Sequence, residues 1–89
     1  MTNNVGLVYF YRGEYATALE YNQRALELNR ALGSPAHVAA SLDSSGNIYR
    51  ALGAYRQALQ SFQEALTIRT TGDDRPGVME TTHNIGLVH

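Results

Sequence analysis

Three histidines and eight acids are the residues that could do acid–base or metal chemistry in this chain of 89, which has no cysteine. His37, His83 and His89 stand apart. None has another histidine or a carboxylate four positions away, as a helical metal site requires, so each reads as a surface histidine. Asp73 and Asp74 form the one adjacent carboxylate pair. Neighbouring acids at a helix start serve as cap and as partners of the helix dipole, which is their expected role. Each glycine is single and periodic, so no phosphate-cradling loop exists; there is no Gly-x-Ser-x-Gly elbow and no thiolate nucleophile. No catalytic residue, no metal site and no cofactor is assigned, and the chain is read as a non-enzyme.

Composition narrows the partners. All seven basic residues are arginine and the net charge is −1. Without a basic field to hold a phosphate backbone, nucleic acid is not an expected direct partner. No run of 18 apolar residues and no charged-then-apolar leader occurs, so neither a membrane span nor a signal peptide is expected, and a soluble, cytoplasmic protein is the default. A chain this short buries only about 60–65% of its unfolded surface, and a thin stability margin is expected.

The elements that position these residues repeat. Gly6, Tyr9, Gly13, Tyr15, Ala18, Leu19, Gln23, Ala25 and Leu26 recur forty positions later as Gly46, Tyr49, Gly53, Tyr55, Ala58, Leu59, Gln63, Ala65 and Leu66. Val38 and Gly46 recur as Val78 and Gly86. These are mainly small or apolar residues, so packing sets the period, and such a period means stacked supersecondary units. Helices are expected over 3–12, from Glu14 to Leu32, from Pro35 to Leu52, from Ala54 to Thr71 and from Pro76 to His89, closed by Gly13, Gly33, Gly53 and Gly72. Ser34 is expected to cap the third helix with Pro35 in its first turn, and Asp73 or Asp74 the fifth. The second and fourth helices carry the 3.6-period stripes Tyr15, Ala18, Leu19, Ala25, Leu26 and Tyr55, Ala58, Leu59, Phe62, Ala65, Leu66. The third places Val38, Leu42, Ser45, Tyr49 and Leu52 on its seam, and Gly46 is expected to let a neighbouring helix approach closely. Asn22 stands where the next copy has Phe62 and reads as a flaw in the stripe, covered by Tyr21. Glu20 and Arg24 are placed to pair across one turn.

Gly46, Tyr49, Ala58, Phe62 and Ala65 at these separations resemble the tetratricopeptide repeat, a helix-turn-helix unit normally of 34 residues. The 40-residue period, the Gly53-x-Tyr55 element and the partial triplets Val5-Gly6-Leu7, Ser45-Gly46-Asn47 and Ile85-Gly86-Leu87 resemble its long, Leu-Gly-Asn-like variety. The resemblance implies an all-α fold, a right-handed α-solenoid of antiparallel helix pairs with five helices in the order A-B-A-B-A. It implies one domain over 1–89: a front-truncated first repeat (1–33), a second (34–73) and the first helix of a third (74–89). It specifies a scaffold and no partner.

In that family the first helix of each pair lines the concave face. The outward slots on these helices hold Asp43, Asn47 and Arg50 in the second copy, Asn3, Leu7 and Phe10 before them, and His83 and Leu87 after them with Glu80 one turn earlier. The expected function is a non-catalytic interaction scaffold that binds a peptide or protein segment across these residues, as a fragment of a larger signalling or regulatory protein. Asn47 both donates to and accepts from a peptide backbone, and Arg50 offers a planar fork that fits a carboxylate. The resemblance implies that a C-terminal tail is held by several lysines and arginines together, so the single arginine here disfavours such a ligand. The alternative is a self-assembling structural repeat unit, natural or designed: Val5 and Val8 at the front, and Val78, Ile85 and Val88 at the back, lack cover, so homo-oligomerisation through open ends is expected.

Overall fold

The computed structural model describes residues 8–88. Residues 8–11 are helical (α1); α2 (Tyr15–Leu32), α3 (Pro35–Ala51), α4 (Tyr55–Thr71) and α5 (Arg75–Val88) follow. The fold is all-α, with no strand among the described residues. Consecutive helices pack on each other, α2 on α3, α3 on α4 and α4 on α5, and α3 also touches α5. Connections of two or three residues make such neighbours antiparallel.

One closing motif recurs every twenty residues. Gly13, Gly33 and Gly53 adopt φ of 79°, 68° and 79°, and Asp73 stands in the same left-handed region at 54°. In each case this residue and the next donate backward into the last turn: Gly33 to the Arg30 carbonyl and Ser34 to that of Asn29, Asp73 to Thr70 and Asp74 to Arg69. That pattern satisfies the orphan carbonyls of a helix end and requires a positive φ. Gly72, expected to close α4, has φ −85° instead. Asp73 holds the slot forty residues after Gly33, and aspartate is one of the few side chains that tolerates it.

The caps differ from expectation in one place. Ser34 precedes α3 in an extended conformation, but its hydroxyl bonds His37 Nδ1 at 2.7 Å and caps no amide. Pro35 occupies the first turn as expected. At α5 the capping carboxylate is Asp74, whose Oδ1 accepts from the Gly77 amide at 3.1 Å.

The core runs along α3, which buries Val38, Ala39, Ser41, Leu42, Asp43, Ser45, Gly46 and Ile48 because helices lie on several sides of it. Val38, Ala39, Leu42 and Ala65 cluster, with Leu26 and Ile68 packed against them. Phe62 is fully buried, and a Cβ on Gly46 would fall 2.5 Å from its ring. The expected close approach at Gly46 is therefore made by Phe62. Around Gly86, forty residues on, no described atom beyond its own stretch of helix lies within 4 Å of the Cβ position. Gly6 and Val5 lie outside the described residues. Two stripe positions are corrected: Leu52 (48% exposed) and Tyr55 (55%) face solvent, because each flanks the turn at Gly53.

Asn22 is no flaw. It is 3% exposed, and its amide donates to the Ser41 carbonyl at 2.8 Å and to Ser45 Oγ at 2.6 Å. A buried amide with partners is stable where an unpartnered one would cost several kcal/mol. Tyr21 does not cover it; its ring stacks on Tyr9 at 5.3 Å, with the Arg24 guanidinium 5.5 Å from its centre. Arg24 also bonds Glu20 at 2.9 Å, as the spacing implies.

Candidate functional site

Five of the seven arginines face an acid among the described residues: Arg12 with Glu14, Arg24 with Glu20, Arg30 with Glu64, Arg69 with Asp43 and Glu80, and Arg75 with Asp73. Arg56 and Arg50 remain. Arg56 is exposed; Arg50 is half-buried near the end of α3. Its Nη2 reaches Asn47 Oδ1 at 3.4 Å, one turn earlier, and its buried Nε has no hydrogen-bond partner among the described residues. A half-buried guanidinium that pairs with no acid among the described residues is suited to receiving one from outside. Asn47 beside it is also half-buried and orients the fork.

Asp43, expected on the same outward row, is a correction. It is 5% exposed and sits between three helices. Arg69 Nη2 of α4 donates to its Oδ2 at 3.0 Å, and Thr81 Oγ1 of α5 lies 3.0 Å from both carboxylate oxygens. Burial pushes the Asp43 carboxyl above its ordinary 3.8; the Arg69 charge and the Thr81 hydrogen bond oppose that, and Glu80 adds to it. The cause of the misplacement is the A-helix-to-A-helix contact: α5 packs over the slot that Asp43 holds on α3.

The remaining residues of the row are divided. Glu80, His83 and Leu87 are exposed on α5, with Glu80 held 3.6 Å from Arg69 Nη1. Phe10 is half-buried, its ring 5.4 Å from that of Tyr15. Asn3 and Leu7 lie outside the described residues, as does His89. No hydrogen bond or ion pair among the described residues joins Asn47 and Arg50 to the α5 group. His37 is exposed and bound to Ser34. Among the described residues no three His, Cys, Asp or Glu side chains stand where they could hold one metal ion, and no helix is long and apolar enough to cross a membrane.

Sequence reasoning missed the buried polar residues. Asn22, Ser41, Asp43, Arg69 and Thr81 are buried and, with the half-buried Asn29, are linked pairwise across helices. Asn29 donates to Ser41 Oγ at 3.0 Å and more weakly to the His37 carbonyl at 3.4 Å. The signal that could have found them is the period itself: Asn29 and Arg69 share a slot, as do Ser41 and Thr81.

Compared with known proteins, the chain matches the family model described as tetratricopeptide repeat over residues 1–71. No curated protein matches it.

Proposed function

Because the chain belongs to the tetratricopeptide repeat family, whose members are typically non-catalytic modules for protein–protein interaction, we propose that it binds a protein segment along its A helices, with Arg50 as the anchor. The observation that carries this reading is the half-buried Arg50, whose guanidinium bonds Asn47 and meets no acid among the described residues. The ligand is an extended or helical segment that turns one carboxylate towards Arg50 and is otherwise neutral or apolar. Asn47 serves its main chain, while Phe10, Leu7 and Leu87 offer apolar contact, and Asn3 and His83 the polar ends. Glu80 repels a second acid near α5. Asp43 contributes no contact, since its oxygens are occupied by Arg69 and Thr81. The chain is best divided as repeats over 1–33, 34–73 and 74–89, of the 40-residue variety, which the spacing from Gly46 to Gly86 supports.

The test is a displayed peptide library panned on the folded chain, followed by titration of a selected peptide against Asn47→Ala/Arg50→Ala. Selected peptides should share a single Asp or Glu, and the double variant should bind more weakly by about 1–3 kcal/mol while keeping its circular dichroism. Peptides without an acid, or affinity retained by the double variant, would place binding elsewhere.

A further inference from the structure

The turn between α3 and α4 is internal to the stack: α2 packs on α3 and α5 on α4, so its surface does not owe its exposure to lying at an end. The turn itself requires only Gly53, whose positive φ closes α3. Leu52, Tyr55 and Arg56 around it are all exposed, and the fold does not dictate them.

Arg56 is the least expected of the three. It stands in the first turn of α4, where the helix dipole opposes a cation. No acid lies three or four places from it, where Leu52, Gly53, Leu59 and Gln60 stand, and no ion pair among the described residues includes it. Antiparallel neighbours put the turns before α3 and α5 at the opposite end of the molecule, and there arginine is treated differently. Arg30 faces Glu64 at 2.6 Å, and Arg75, which also opens a helix, faces Asp73 at 3.7 Å. Tyr55 has likewise lost a companion. Tyr15, forty residues earlier, is half-buried with its ring 5.4 Å from that of Phe10. The slot of Phe10 holds Arg50 in the second copy, and no ring contact among the described residues includes Tyr55. Tyrosine and arginine are enriched where protein surfaces meet and carry much of the binding energy there.

We propose that the α3–α4 turn is a second docking surface, which takes an acidic amphipathic segment of a partner protein. A carboxylate pairs with Arg56 while apolar side chains lie on Leu52 and Tyr55. Charge complementarity selects this occupant, because arginine is the only charged residue type over residues 50–56. An anionic lipid surface is held by a cluster of about 4–8 basic residues, far more than this turn carries. The surface does not use Arg50 and does not rest on the groove described above.

Mapping of amide chemical shifts on the 89-residue chain tests this with a defined probe, a peptide in which Asp and Glu alternate with Leu and Phe. Shifts should centre on residues 51–56 and disappear when Asn and Gln replace the acids of the peptide. Arg56→Glu puts an acid where the dipole favours one, so Tm should hold or rise. The same variant should bind the peptide at least about tenfold more weakly and should bind instead its counterpart with Lys in place of the acids. Tyr55→Ser should also weaken binding at least about tenfold with helicity kept. Shifts that centre on Asn47 and Arg50, or an affinity that Arg56→Glu leaves unmoved, would overturn the second surface. So would an Arg56→Glu chain that loses helicity, which would make Arg56 a structural residue. Binding of phosphatidylserine vesicles without binding of the peptide would overturn it in favour of a lipid contact.

Discussion

The two junctions at which one helix pair meets the next use the same slots with different chemistry. Between α2 and α3, Asn29 donates to Ser41, and Asn22 to Ser41 and Ser45, so the junction is neutral. Between α4 and α5 the slots of Asn29 and Ser41 hold Arg69 and Thr81, and Asp43 is drawn in as the counter-charge. The slot of Asn22 holds Phe62, which turns to Gly46. A neutral amide needs only its two acceptors to be stable in a core, whereas a buried guanidinium needs a carboxylate, and the pair together is weakly stabilising at best. The same repeat slots thus support one junction held by amide and apolar contacts and another held by charge.

Breaking the apolar part should have the largest effect. Phe62→Ala empties a fully buried slot and should cost about 3–5 kcal/mol, read as a fall in the urea midpoint or outright loss of helicity in so small a domain. Asn22→Ala, in the equivalent slot, leaves the Ser45 hydroxyl without its donor and should cost less, about 1–3 kcal/mol by the same measurement. Equal costs at the two slots would mean that the chemistry of the slot does not matter. Asp73→Gly should raise stability by about 1 kcal/mol, since it relieves a left-handed backbone at the cost only of an exposed ion pair with Arg75.

The subtlest test concerns pH. Burial, outweighing Arg69 and Thr81, places the Asp43 carboxyl above the 3.8 of an unfolded chain. The folded state therefore holds this proton more tightly than the unfolded state does. The stability it contributes is complete below 3.8 and is lost as pH rises through the folded value. Urea unfolding of the native chain and of Asp43→Asn over that window should show the native chain's relative stability growing as pH falls. The opposite trend would mean that attraction to Arg69 dominates burial.

Helix order was legible because periodicity reports which residues must be apolar: the stripe through Ala58, Phe62 and Ala65 lies buried as a 3.6 period requires. Period also located the turns, although Asp73 replaced the glycine there. Buried polarity was not legible. Asn22 and Asp43 look like surface residues in sequence, and only the approach of α3 to one and of α5 to the other supplies their partners. Arg69 and Asp43 are far apart along the chain, and no spacing rule joins them. Of the row expected to bind, the sequence placed Asn47 and Arg50 on α3; that Arg50 meets no acid among the described residues depends on where the carboxylates point, which is a property of the fold.

One paired measurement on Arg50→Met tests whether Arg50 is kept for a partner at some expense to the fold. Removing a buried donor that has no acceptor should leave Tm unchanged or raise it, as often happens at binding sites. The same variant should bind a display-selected acidic peptide at least about tenfold more weakly, the loss of one charged hydrogen-bonded contact. A lowered Tm with unchanged peptide affinity would contradict the account and make Arg50 a structural residue.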